Sequence, residues 1–137
     1  MANAGVTVEA QREPIRVLLV DDHEHVLWGL TKLIDGEWPR MMVIGASRNM
    51  AHASMLMEAR RPDVVVLDIC IGGASTVDQL PRLLQAGHAH IVVLTGVSDI
   101  DVHQRAIELG ASAVLLKEAP AEQLLRQIER AHLGHAA

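Results

Sequence analysis

Cysteine occurs once in the 137 residues, at Cys70. An internal disulfide is therefore excluded, and the chain suits a reducing, cytoplasmic compartment. No run of about 18 apolar residues exists, so no spanning helix and no membrane partner is expected. The stretch from Met1 to Pro14 lacks a basic segment followed by an apolar one, and does not read as a secretory signal. Positive charge is also scarce: 12 Lys and Arg stand against 17 Asp and Glu, a formal net charge of −5. With no basic cluster of the helix-turn-helix or zinc-finger kind, this segment is not expected to bind nucleic acid by itself. Eight histidines are present, but with no HExxH pattern and no Cys partners at zinc spacing. What remains is a chain that is 50% apolar and long enough for one domain with its own core.

That core is announced by Val64-Val65-Val66-Leu67, a short apolar run rich in β-branched residues that ends in Asp68. Such a run reads as a strand buried on both faces. Ile15 to Val20 is similar and runs into Asp21-Asp22. Met41 to Ile44, Ile91 to Leu94 and Ala113 to Leu116 complete five candidate strands, the last two ending at Thr95 and Lys117. Helical spacing separates them. Val26, Leu27, Leu30, Leu33 and Ile34 share one face, with Gly36 placed to close the helix. Asn49 can cap a helix through Arg60, stopped by Arg61-Pro62-Asp63. A glycine-rich loop, Ile71 to Ser75, leads to a short helix near Val77 to Gln85. A further helix spans about Asp99 to Leu109 before Gly110, and the last starts at Pro120. Residues 1–13 read as a flexible tail, 14–133 as the domain, and 134–137 as a tail or the start of a linker. The alternation predicts an α/β, flavodoxin-like (βα)5 fold, a doubly wound parallel sheet in the order 2-1-3-4-5.

In that order the carboxyl ends of strands one and three are neighbours, and three carboxylates crowd one pocket. Crowding of this kind calls for a cation or a bound proton. An all-oxygen site with open positions suits Mg²⁺. Thr95 and Lys117 on the same edge are donors for a phosphoryl group. Asp21-Asp22 taken alone reads equally well as a helix-capping pair.

The segments VLLVDDHEH, VVVLDI, VVLTG and GASAVLLKE resemble the signature segments of response-regulator receiver domains, over about residues 14–133. The resemblance implies Asp68 as phosphoacceptor. It implies Mg²⁺ held by Asp22, Asp68 and the backbone carbonyl of Cys70, with Asp21 helping through water. Lys117 would contact the phosphoryl group and Thr95 would be the switch hydroxyl. The implied partner is a sensor histidine kinase, with a homodimer forming on phosphorylation, and the implied chemistry is confined to the domain's own phosphorylation and dephosphorylation. VDDHEHV-x-x-G-L and the Lys117-Glu118 pair resemble receivers of NarL/LuxR-type transcription factors, which continue into a C-terminal DNA-binding domain.

The chain departs from the commoner family pattern in several places. Ile71-Gly72 and Thr76 replace a Met-Pro pair and a later glycine, and predict a more mobile loop. The segment between Asp68 and Thr95 is a few residues short, which predicts a trimmed third helix or following loop. Val114 stands where many receivers carry an aromatic switch residue, and the chain holds no Tyr or Phe, so no ring flip can accompany Thr95 there. Cys70 and Val97, two residues after Asp68 and Thr95, are poor at orienting an attacking water, which predicts slow self-dephosphorylation. His23 and His25 flank the acidic pair, where a metal reading is open, but they are expected to be solvated first-turn residues, and the charges of the last helix a solvated face. Trp28 fits either a contact face or a packing role. Two other readings stand beside the DNA-binding regulator. One is a stand-alone receiver acting by protein–protein contact or as a phosphorelay shuttle. The other is a haloacid-dehalogenase-type phosphatase, a poor match because His23 stands two residues after Asp21, where a second Asp is wanted.

Overall fold

The computed structural model describes residues 13–96 and 98–134. The expected N-terminal tail apart from Glu13, Val97, and residues 135–137 lie outside the described residues. Five parallel strands form one sheet: β1 (Ile15–Val20), β2 (Met41–Ser47), β3 (Val64–Leu67), β4 (His90–Thr95) and β5 (Ala113–Leu116). Their spatial order is β2-β1-β3-β4-β5, as the flavodoxin-like reading expects. The helices are α1 (Glu24–Asp35), α2 (Met50–Arg60), α3 (Leu80–Ala86), α4 (Ile100–Glu108) and α5 (Ala121–His132).

The sheet has a core on each face because its strands alternate sides, with every residue of β3 buried. Val65 and Leu67 join Ala53 and Met57 of α2, Leu80 and Leu83 of α3, and Ala106 of α4. Val64 and Val66 join Leu27 and Ile34 of α1 with Leu124, Ile128 and Ala131 of α5. A doubly covered parallel sheet leaves its strand ends as the place where polar side chains can meet.

Local chemistry explains the element ends. The Asn49 side chain accepts the His52 N–H at 2.8 Å and starts α2. Arg61, at φ +47°, turns the chain out of it ahead of Pro62. Gly110 closes the turn after α4 at φ +115°, a conformation glycine adopts without strain. The edge strand β2 is longer than its apolar run, reaching Ser47, and carries a bulge: Val17 pairs with Val43 but Leu18 with Gly45. The Arg60 guanidinium donates to the carbonyl of the skipped Ile44 at 2.6 Å.

Three expectations shift in detail. Pro120 is the residue before the first turn of α5 rather than within it. Gly36 closes α1 at φ −64°, in the right-handed region, so its N–H continues the helical ladder to the Lys32 carbonyl. The loop after Asp68 is a small antiparallel ribbon, Cys70–Ile71 against Ala74–Ser75, turned by Gly72 at φ +64° and Gly73 at φ +78°. Two successive glycines with positive φ suit a two-residue turn of this kind. The short helix expected near Val77 to Gln85 is found as a single 3₁₀ turn, Val77–Gln79, followed by the seven residues of α3.

Candidate functional site

Register brings the site together. Val20 of β1 pairs with Leu67 of β3, and the Asp68 N–H donates to the Val20 carbonyl at 2.9 Å. Asp21 and Asp68 therefore leave adjacent strands side by side. On the other flank Thr95 pairs with Leu116, and the Lys117 N–H donates to the Thr95 carbonyl at 2.8 Å. Segments separated by as many as 96 positions thus reach one sheet edge.

The Lys117 ammonium bridges Asp21 Oδ2 and Asp68 Oδ2, both at 2.9 Å. Both carboxylates are almost wholly buried, with side chains 4% and 3% exposed, whereas Lys117 keeps 25% of its side chain accessible. Burial alone pulls the lysine pKa down; the hydrogen bonds it donates to Asp68 and Asp21 outweigh that and hold the ammonium above its ordinary value. The second Asp68 oxygen accepts the Cys70 N–H at 2.9 Å. Thr95 is fully buried at the end of β4.

Asp22 faces the same space from one residue further along. Its Oδ2 accepts the Gly72 N–H of the ribbon at 2.8 Å, and this bond is the main reason its pKa falls below 3.8. Its Oδ1 is buried and lacks a hydrogen-bond partner. A carboxylate oxygen left in that state suits a cation, and Asp21, Asp22, His23 and Asp68 each offer a donor atom within 4.8 Å of the others. Arg48 supports the rim: its guanidinium donates to the Asp22 carbonyl at 3.1 and 3.3 Å and lies 3.6 Å from Glu24.

All the predicted acids, with Lys117, converge. His23 is exposed, as expected, with 56% of its side chain accessible, though it precedes the first turn of α1 rather than lying within it; its Nδ1 sits 3.0 Å from Asp21 Oδ1 and 3.1 Å from Asp22 Oδ1. His25 is exposed, as expected. The Gly72 contact had no sequence signal beyond the glycine pair. Val114 is partly buried and packs against the core shared by α2, α3 and α4. Trp28 is 66% exposed with the Lys32 ammonium 5.0 Å from its ring centroid, which places it on the surface. On α5, Glu129 is not simply solvated, since the Arg40 guanidinium donates to it at 3.1 Å and also pairs with Glu37. No described helix is long and apolar enough to cross a membrane.

Comparison with known proteins gives a consistent result. The family model described as response regulator receiver domain matches residues 17–129. The transcriptional regulatory protein LiaR of Bacillus subtilis is 32% identical over 121 residues, which cover 88% of this chain and 57% of LiaR. The nitrate/nitrite response regulator NarL of Escherichia coli is 30% identical over 129 residues, covering 91% of this chain and 58% of NarL. The chain thus spans a little over half the length of these curated relatives. Among solved structures, a LuxR-family two-component response regulator from Aurantimonas superposes with a TM-score of 0.83 at 28% identity, covering 91% of this chain and 89% of that one.

Proposed function

This chain belongs to the response regulator receiver domain family, of the NarL/LuxR type, and from that membership we propose that Asp68 is its phosphoacceptor. A phosphohistidine of a sensor kinase presents phosphorus to an Asp68 carboxylate oxygen. The new P–O bond forms as the P–N bond to the imidazole breaks, leaving an acyl phosphate on Asp68. The carrying observation is the meeting of two buried carboxylates, Asp21 and Asp68, at one ammonium, beside an Asp22 oxygen that accepts no hydrogen bond. Such a pocket has surplus negative charge and a donor ready for phosphoryl oxygens.

Asp22, Asp68 and the Cys70 carbonyl would hold Mg²⁺, with Asp21 contributing through water. When bound, the ion neutralises charge that develops on the phosphoryl oxygens. Lys117 does the same from the opposite flank, and its 25% accessibility leaves room for an incoming group. The product carries about −1.5 to −2 charge. Thr95, buried at the end of β4, is the hydroxyl that this charge recruits, and the segment leading to α4 repacks with it. Val114 offers no ring to follow that movement, so the change passes through aliphatic contacts.

In the whole protein we take the domain to govern a C-terminal DNA-binding part, with a second copy as partner after phosphorylation. LiaR, a transcriptional regulatory protein by name, supports this reading. Phosphatase action on small phosphoesters is disfavoured, because His23 occupies the position two residues after Asp21. The test is incubation with a small phosphodonor, with and without Mg²⁺, followed by intact mass. Wild type should gain about 80 Da, on the order of one phosphate, only with Mg²⁺, and Asp68→Ala should gain nothing. Equal labelling of Asp68→Ala would overturn the assignment.

A further inference from the structure

We propose that Thr76 is a positioning residue for phosphoryl transfer: its buried hydroxyl and its main chain set the peptide that holds the Asp68 carboxylate in place. The inference rests on the reading of Asp68 as phosphoacceptor. It adds to that reading a residue eight positions further on that touches no reacting atom.

Two successive carbonyls of the chain leaving β3 end on Thr76. The Thr76 hydroxyl donates to the Asp68 carbonyl at 3.3 Å, and the Thr76 N–H donates to the Ile69 carbonyl at 2.7 Å. Peptide units are planar, so a bond to each carbonyl fixes both planes that flank Ile69. The second plane also carries the Cys70 N–H, which donates to Asp68 Oδ1 at 2.9 Å. One peptide is thus held by Thr76 at its oxygen and by the phosphoacceptor at its nitrogen. The other Asp68 oxygen accepts from Lys117, also at 2.9 Å. Two donors therefore set the rotation of the carboxylate, and Thr76 stands behind one of them.

The hydroxyl is what this residue type adds. Any residue but proline supplies the N–H, and the commoner family pattern has glycine here. Thr76 is only 4% exposed, and its hydroxyl satisfies a buried carbonyl that would otherwise lose this donor.

The ribbon cannot hold itself. Its strands are two residues long, too short to be stable by pairing alone. Ile71 packs against the core, but Gly72 to Ser75 are exposed. Thr76 closes the base of the ribbon, and Gly72 at its tip donates to Asp22 Oδ2 at 2.8 Å. The base thereby sets where the tip lands. Without the hydroxyl, Asp68 spends more time turned away from the incoming phosphorus, and misalignment slows an in-line displacement.

The test uses two pairs of the purified chain that differ by the hydroxyl: wild type against Thr76→Val, and Thr76→Ser against Thr76→Ala. Acetyl phosphate with saturating Mg²⁺ is the donor, and intact mass follows the label. Thr76→Val and Thr76→Ala should label about tenfold more slowly than their hydroxyl-bearing counterparts. Amide hydrogen exchange, read by NMR without metal or donor, should speed up at Cys70 and Gly72 in the same two variants and stay unchanged in β1 and β4. Should Thr76→Val not fold, the serine and alanine pair decides. Equal rates within each pair, or equal slowing of the serine and alanine variants, overturn the role of the hydroxyl. Slow labelling with unchanged exchange at Cys70 overturns it too. Asp68→Ala separates the two levels: labelling of that variant at the wild-type rate sinks the phosphoacceptor reading, whatever Thr76 does.

Discussion

Lys117 holds one ammonium against two carboxylates that water scarcely reaches. Removing it leaves Asp21 and Asp68 buried as like charges. Breaking a fully buried pair costs about 3–5 kcal/mol, and the partial exposure of the lysine reduces that. In a metal-free buffer at neutral pH, Lys117→Ala should lose about 2 kcal/mol in denaturant unfolding. Asp68→Ala should lose less, because it removes one of the crowded charges and leaves Lys117 paired with Asp21. The ammonium's pKa is raised by its hydrogen bonds, so its stabilisation is complete below the ordinary 10.5 and vanishes as pH rises through the higher folded value. The gap between wild type and Lys117→Ala should therefore persist to pH 10.5 and close above it. A gap that narrows already between pH 7 and 9 would contradict this account.

Among the elements, α2 shows most plainly how sequence becomes structure. Asn49 sits in extended backbone and its side chain takes the His52 N–H. The Ser47 hydroxyl, at the end of β2, donates to the Asn49 carbonyl at 2.8 Å and fixes the entry angle. Asn49→Ala should destabilise the domain by about 1 kcal/mol, measured as a shift in the urea midpoint with an unchanged slope. An asparagine before an amphipathic run is readable from sequence, because capping is a contact within three residues. The ribbon after Asp68 is not readable in the same way. Its glycine pair suggested a loose loop, but Gly72 donates to Asp22, 50 positions away, and that bond gives the turn a fixed place at the pocket. The surface pair Arg105–Asp78, at 3.1 Å, likewise ties α4 to the 3₁₀ turn before α3. An exposed pair of this kind contributes below about 1 kcal/mol.

For the whole molecule, two aliphatic cores clamp the sheet, and the polar groups are left to one edge. That arrangement decides how long a phosphoryl group would survive on Asp68. Hydrolysis needs a water oriented in line with phosphorus, and Cys70, two residues after Asp68, offers only a thiol, a weak hydrogen-bonding group. Val97, the other residue expected at that border, lies outside the described residues. Phosphorylated protein freed of donor should keep its label for minutes or longer in the presence of Mg²⁺, followed by intact mass. Loss within seconds would show that another group positions the water.

Sequence by itself determined the five strands, their crossover order and the acids at their carboxyl ends. A strand buried on both faces must be a continuous aliphatic run, and a charge can enter only where that run stops, so Asp21, Asp68 and Lys117 mark their own positions. Only the tertiary structure decided which of these groups touch. That Lys117 reaches Asp21 and Asp68 together and that Gly72 binds Asp22 both depend on distances between separately folded segments. Periodicity along the chain carries no information about a hydrogen bond across it.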